Sequence, residues 1–184
     1  MVKIISDSTC DLSPELIAKY DIDILPLHIL LGEDEYEDGK NITPEQIYSW
    51  SDENKTTPKT SAPALTDAIE LFKPYIDEGR EIVCFSISSS MSTSGNVMRI
   101  AAEELEDCIT VIDSANLSTG IGLLVIEAAI MAQNNHTVEE IVSAIEALKP
   151  NVRASFVVDT LTYLYRGGRC NAVSAMAGGV LKLH

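Results

Sequence analysis

Short apolar runs recur along the chain, each followed by a turn rich in hydroxyls or carboxylates and then by a stretch with helical spacing. The clearest is Ile82–Ile87, a buried-strand pattern that breaks into Ser88, Ser89, Ser90, Ser92, Thr93 and Ser94 and enters a helix near Thr93–Asn96. Strands alternating with helices imply βαβ units, hence an α/β fold with a mainly parallel sheet flanked by helices. In such a sheet the carboxyl ends of all strands share one edge, and ligands bind in the crevice along it. Four predicted strands end in polar turns of this kind, at Ser6–Thr9, Ser88–Ser94, Asp113-Ser114 and Asp159-Thr160, and Thr60-Ser61 stands just before another helix. A helix start carries free N–H groups and the positive end of the helix dipole, so hydroxyls gathered there suit an anionic oxygen of a carboxylate or phosphate. Each turn alone is also ordinary capping chemistry. Their convergence on one edge is what points to a ligand.

Taken in order, Val2–Ser6 reads as a strand, and Ser13-Pro14 opens a helix running to about Tyr20. The Ile- and Leu-rich segment Asp21–Leu31 reads as a second strand and the acidic Gly32–Gly39 as a solvated loop. A helix from Thr43 to near Trp50 and a polar connection, Ser51–Lys59, follow. Leu65, Ile69 and Phe72 carry helical spacing. Beyond the central strand, a helix runs to about Leu105, Cys108–Ile112 is a strand and Leu117–Gln133 a long helix. Thr137 and Glu140 form a capping box for the helix Val138–Leu148, stopped by Pro150. Arg153–Val158 reads as a further strand, Leu161–Tyr165 as a helical turn, and Val173–Leu183 as small and apolar.

The chain of 184 residues is 46% apolar and 22% charged, enough for a globular core. Its net charge of −15 argues against a nucleic-acid partner, which needs clustered Lys and Arg. Cys10, Cys84, Cys108 and Cys170 form no C-x-x-C pair, which predicts reduced, structural thiols. The longest apolar segment, Ile121–Ile130, is interrupted by Glu127 and is too short to span a bilayer. With no signal-peptide pattern at the start, the expected location is cytoplasmic.

Catalytic machinery is sparse. A Ser nucleophile needs a base, and the histidines are His28, within a predicted strand, His136, ahead of a helix cap, and the terminal His184. There is no G-x-S-x-G elbow, H-E-x-x-H pair, dinucleotide fingerprint or Walker A sequence. These residues suit holding a ligand better than transforming one, and neither a metal nor a cofactor is expected.

Ser6-Asp7-Ser8-Thr9, Thr60-Ser61-x-Pro63, the Ser88–Ser94 turn, Val111-Ile112-Asp113-Ser114 with Gly120-x-Gly122, and Arg166-Gly167-Gly168-Arg169 occur in an order that resembles the DegV family across the whole chain. The resemblance implies a bacterial fatty-acid-binding protein, the lipid-holding subunit that presents a long-chain acid to an ATP-binding fatty acid kinase partner for acyl phosphate formation. It places carboxylate contacts on Thr60, Ser61 and Ser92 and kinase engagement on Arg169, while the convergent turns themselves offer Ser8, Ser89, Ser94, Asp113 and Ser114 as additional pocket residues. It implies a headgroup-binding domain over residues 1–158 and the beginning of a mostly absent second domain over 159–184. It leaves room for transient membrane contact and a homodimer. The chain departs from the family where Ser92-Thr93-Ser94 replaces Ser-Gly-Thr, where Gly95 replaces an aromatic and where Ala62 replaces Gln. Two other readings compete: a truncated interaction or regulatory domain that binds no lipid, and a Ser-dependent hydrolase.

Overall fold

The computed structural model describes residues 1–105, 108–158 and 161–166. Strand β1 (Lys3–Asp7) leads through a 3-10 turn (Ser8–Cys10) to α1 (Pro14–Tyr20) and β2 (Ile22–Leu25). Two further strands, β3 (His28–Leu31) and β4 (Asp34–Glu37), precede α2 (Pro44–Asn54). Next come β5 (Lys59–Ser61), α3 (Leu65–Asp77), β6 (Ile82–Ser86) and α4 (Ser94–Glu104). The remainder is β7 (Ile109–Asp113), α5 (Thr119–Gln133), α6 (Val138–Leu148), a 3-10 turn (Lys149–Asn151) and a short α7 (Thr162–Arg166).

The main sheet has the order β2-β1-β6-β7 and is parallel throughout. Every residue of β1 and β6 is buried, as expected of central strands covered on both faces. Successive side chains point to opposite faces. Ile4, Val83, Phe85 and Ile112 therefore join Ile121, Leu124, Ile141 and Ile145 of α5 and α6. Ile5, Ile82 and Cys84 pack against Ala68 and Phe72 of α3 and Met98 and Ala101 of α4. Local signals start the helices: Ser13 accepts from the Leu16 amide, and capping boxes pair Thr43 with Gln46 and Thr137 with Glu140. The amino edge of the sheet is held by Lys3, which is only 2% exposed. Its ammonium meets Asp21 Oδ1 at 3.0 Å and Asp23 Oδ1 at 3.1 Å, and the Tyr75 hydroxyl donates to Asp23.

Several sequence expectations are corrected. Asp21–Leu31 is two strands in different sheets, because Pro26 interrupts the ladder. Gly32–Gly39 is not a solvated loop: β4 folds back antiparallel on β3, pairing Leu31 with Asp34. Gly32, at φ +71°, supplies the positive φ that a two-residue hairpin turn demands. Thr60-Ser61 lies on β5, antiparallel to β3, which completes a three-stranded sheet of order β4-β3-β5. Ile29, Leu31 and Ile42 of this small sheet pack against Ile47 and Trp50 of α2, which runs four residues beyond the expected end. Arg153–Val158 forms no strand. It lies largely exposed, with Phe156 and Val157 at 60% and 78% accessibility, and pairs with no neighbouring strand among the described residues. Asp159-Thr160, Gly167-Gly168-Arg169 and Val173–Leu183 lie outside the described residues.

Candidate functional site: a cleft between two sheets

The carboxyl edge of the parallel sheet faces the small antiparallel sheet across an open cleft of about 650 Å³. One wall is Thr9 after β1, Ile87 after β6, and Ser89 to Thr93 in the loop that enters α4. The other is Leu27 and Ile29 of the β3 segment, Asp38, and Thr60, Ser61 and Ala62 of the β5 segment. Thr60 lies directly opposite Ile29 in the ladder, so the two share a face. Thr60, Ser61 and Ser92, separated by about thirty residues of chain, thus line one cavity. Leu27, Ile29, Ile87 and Met91 give the same cavity an apolar component.

Ser92 sits at the start of α4. Its Oγ accepts from the Ser94 amide at 3.2 Å and is 2.9 Å from Ser94 Oγ, while Thr93, the residue at the cap position, makes no side-chain cap. Ser94 is fully buried, so it stands behind Ser92 and does not line the cleft. With Ser94 as donor, the proton of Ser92 is free for a ligand oxygen. Ser89 does line the cleft, and its amide donates to both oxygens of Asp113 at 3.3 Å. Burial opposes ionisation of Asp113, but hydrogen bonds from Ser89 and the Ala115 amide outweigh it and hold the carboxyl below its ordinary value. Asp113 is therefore a support for the loop. Ser114 is buried and closes a local turn with Asn116, whose carbonyl accepts from the Ser88 amide at 3.0 Å. Ser8 is also off the cavity surface.

The turn after β1 braces the same wall. The Asp7 carboxylate, wholly buried, accepts from the Ile87 amide at 2.8 Å and from both the amide and hydroxyl of Thr9. Burial pushes its pKa up, against the pull of these hydrogen bonds. Gly122 lets α5 approach this turn: a Cβ there would lie 2.8 Å from the Cys10 carbonyl. The glycine and aspartate motifs singled out in the sequence thus serve mostly as scaffolding behind the cleft.

Among the described residues no histidine lines the cleft. His28 is held between Glu35 (2.6 Å) and Asp67 (2.9 Å), and His136 pairs with Glu140 at the start of α6. Among the described residues, none of the cleft hydroxyls has an adjacent imidazole, the usual activating base of a Ser nucleophile. Burial pushes the Cys84 thiol far up, so it is an inert core residue. Among the described residues no cluster of His, Cys, Asp and Glu is arranged to hold a metal, and no helix is long and apolar enough to cross a membrane. Sequence reasoning named Thr60 and Ser61 but missed the rest of the second wall: Leu27, Ile29 and Asp38 join the cleft only because the Pro26 break and the Gly32 turn fold a hairpin across it.

An α/β protein with a hydroxyl-lined cleft at the carboxyl edge of its parallel sheet, walled on the far side by a small antiparallel sheet, is the class that fold and site define. The family model described as "Uncharacterised protein, DegV family" matches residues 1–184, and the chain belongs to the DegV family. A DegV domain-containing protein of Clostridium perfringens is 38% identical over 176 residues, covering 95% of this chain and 63% of its own. Among solved structures, the stearic acid-binding protein from Eubacterium ventriosum superposes with a TM-score of 0.86 at 35% identity, covering 97% of this chain and 64% of that one. The fatty-acid-binding DegV family protein from Thermus thermophilus gives a TM-score of 0.86 at 28% identity, with 98% and 64% covered. The chain spans slightly less than two thirds of the length of these relatives.

Proposed function

We propose that the cleft receives the carboxylate of a long-chain fatty acid, and that the protein carries this acid as the substrate-holding subunit of an ATP-dependent fatty acid kinase without performing the phosphoryl transfer itself. In this reading Thr60, Ser61 and Ser92 hydrogen-bond the headgroup, residues 1–158 form the headgroup-binding domain, residues 159–184 open a second one, and Arg169 engages the kinase partner. The observation that carries it is the meeting of Thr60 and Ser61, from the small sheet, with Ser92, from the loop that leaves β6 of the parallel sheet, on a cavity that also presents apolar side chains. The fatty acids bound by the similar proteins from T. thermophilus and E. ventriosum support the choice of ligand.

Neutral donors suit this task on energetic grounds. Each hydroxyl hydrogen bond contributes about 0.5–1.5 kcal/mol, and the start of α4 adds roughly 0.3–1 kcal/mol toward an anion. Burial of the tail gains about 0.8 kcal/mol per CH₂. The tail supplies most of the affinity and the hydroxyls orient the head. With no Lys or Arg among the described residues that line the cleft, the headgroup stays open to a phosphoryl donor.

Native mass spectrometry of purified protein, followed by lipid extraction, is expected to reveal a bound long-chain acid, with retention weakened by Thr60→Ala and Ser92→Ala. Arg169→Ala is expected to spare the lipid and impair coupling to the kinase. A chain that carries no acid and takes up neither palmitate nor oleate overturns the reading.

A further inference from the structure

The antiparallel β4-β3-β5 unit, sheet B, shares no strand pairing with the parallel sheet among the described residues. Yet it forms one whole wall of the cleft, so something other than backbone pairing must set the gap. The chain crosses between the sheets over Pro26 and Leu27, and there three hydrogen bonds close a ring. The Leu27 amide donates to Ser8 Oγ at 3.1 Å, Ser8 Oγ donates to Asp38 Oδ2 at 2.7 Å, and the Asp38 amide donates back to the Leu27 carbonyl at 2.8 Å. One hydroxyl at the exit of β1 therefore ties down both ends of the β3-β4 hairpin. Its neighbour Asp7 grips the opposite wall at the Ile87 amide, the root of the loop carrying Ser89 to Thr93.

We infer that Ser8 is a positioning residue: it latches sheet B against the parallel sheet and so sets the distance between the Thr60-Ser61 wall and the Ser92 wall. This rests on the reading that the cleft holds a fatty acid headgroup. Asp7 and Ser8, adjacent in sequence, hold the two walls from a single turn. Carboxylate recognition from both sides needs donors at a fixed separation, and two donors on separate sheets keep that separation only while the sheets stay docked. The other side-chain tie of sheet B, from His28 to Asp67 of α3, has its imidazole off the cleft surface and does not replace Ser8 at the cavity. A released latch leaves the fold intact and lets the walls part, which shortens ligand residence.

The test measures dissociation of cis-parinaric acid, a fluorescent fatty acid, by stopped flow, alongside amide hydrogen exchange, in the wild type, Ser8→Ala, Ser8→Cys and Ser8→Thr. Ser8→Ala is expected to raise the dissociation rate about tenfold. It should speed exchange at the Leu27 amide and leave the Cys84 amide of β6 protected. Ser8→Thr, which keeps the hydroxyl, should restore slow release. Should Ser8→Ala expose Cys84 as well, the nearly isosteric Ser8→Cys decides by the same two readouts. Faster Leu27 exchange with unchanged dissociation overturns the inference alone. A wild-type chain that takes up no cis-parinaric acid overturns the lipid-binding reading, and the latch role with it.

Discussion

The two sheets of this protein are built to different standards. The parallel sheet has two strands buried at every residue, helices on both faces, and an amino edge tied by the ammonium of Lys3 between Asp21 and Asp23. Sheet B has three short strands, a core cluster of only three buried side chains, and an edge strand, β5, whose three residues are all exposed. Regions with few buried apolar contacts open at lower free energy than the core they are attached to. The cleft lies between a stiff wall and a compliant one, and the residues proposed to hold the headgroup are divided between them. Under the proposed function, such a pairing would let one wall yield to admit an acyl chain without disturbing the sheet that holds the fold together.

The contrast is broken or sharpened by measurement. Phe85 is wholly buried at the centre of the parallel sheet, and Phe85→Ala is expected to cost about 3–5 kcal/mol in a urea titration. Ile29→Ala in sheet B should cost only about 2 kcal/mol, the low end for such truncations. It should also accelerate exchange in β3 and β5 more than in β6. Equal losses at the two positions would mean that the sheets are one cooperative unit. Gly122→Ala is expected to cost about 1–3 kcal/mol by forcing α5 away from the Cys10 carbonyl, and to disturb the Asp7 wall before sheet B.

The smallest effect concerns His28. Burial lowers its pKa, but the carboxylates of Glu35 on β4 and Asp67 on α3 more than reverse this, and its value is raised. A raised histidine contributes stability that is fully present below its unfolded value of about 6.5 and is lost as pH climbs through the folded value. The stability difference between wild type and His28→Gln, from urea midpoints, should therefore shrink on going from acid to alkaline pH. Its size is expected to be about 1 kcal/mol or less for so accessible a pair. A difference that grew with pH would reverse the assigned charge state.

Much of the parallel sheet was legible because its signals are local. Ile82–Phe85 is continuously apolar, and Ser13-Pro14 and Thr137-Glu140 announce their helices through side chains that cap the neighbouring turn. Sheet B was not legible in the same way. β4 reads DEYE, which looks like a solvated loop until a partner strand is known, and β5 is three polar residues long. The opposite error occurred at Arg153–Val158, whose Phe and Val suggest a strand although no neighbour pairs with it among the described residues. Strand propensity measures fit to a neighbouring surface, and that surface is not written in the segment itself.

The site divides along the same line. The hydroxyls at Thr60, Ser61 and Ser92 and the DegV motifs were readable from the chain, because residue type and spacing are properties of sequence. Which hydroxyls share a cavity was decided by tertiary structure: Ser92 and Ser89 came to its surface, Ser94 and Ser114 were buried behind it, and Ser8 became a tie between walls. A side chain's chemistry is local, whereas its direction depends on which strand it faces across a gap. Here the far side of the gap is a hairpin whose own turn and pairing are local, but whose pairing with β5 and hydrogen bonds to Ser8 join residues distant in sequence.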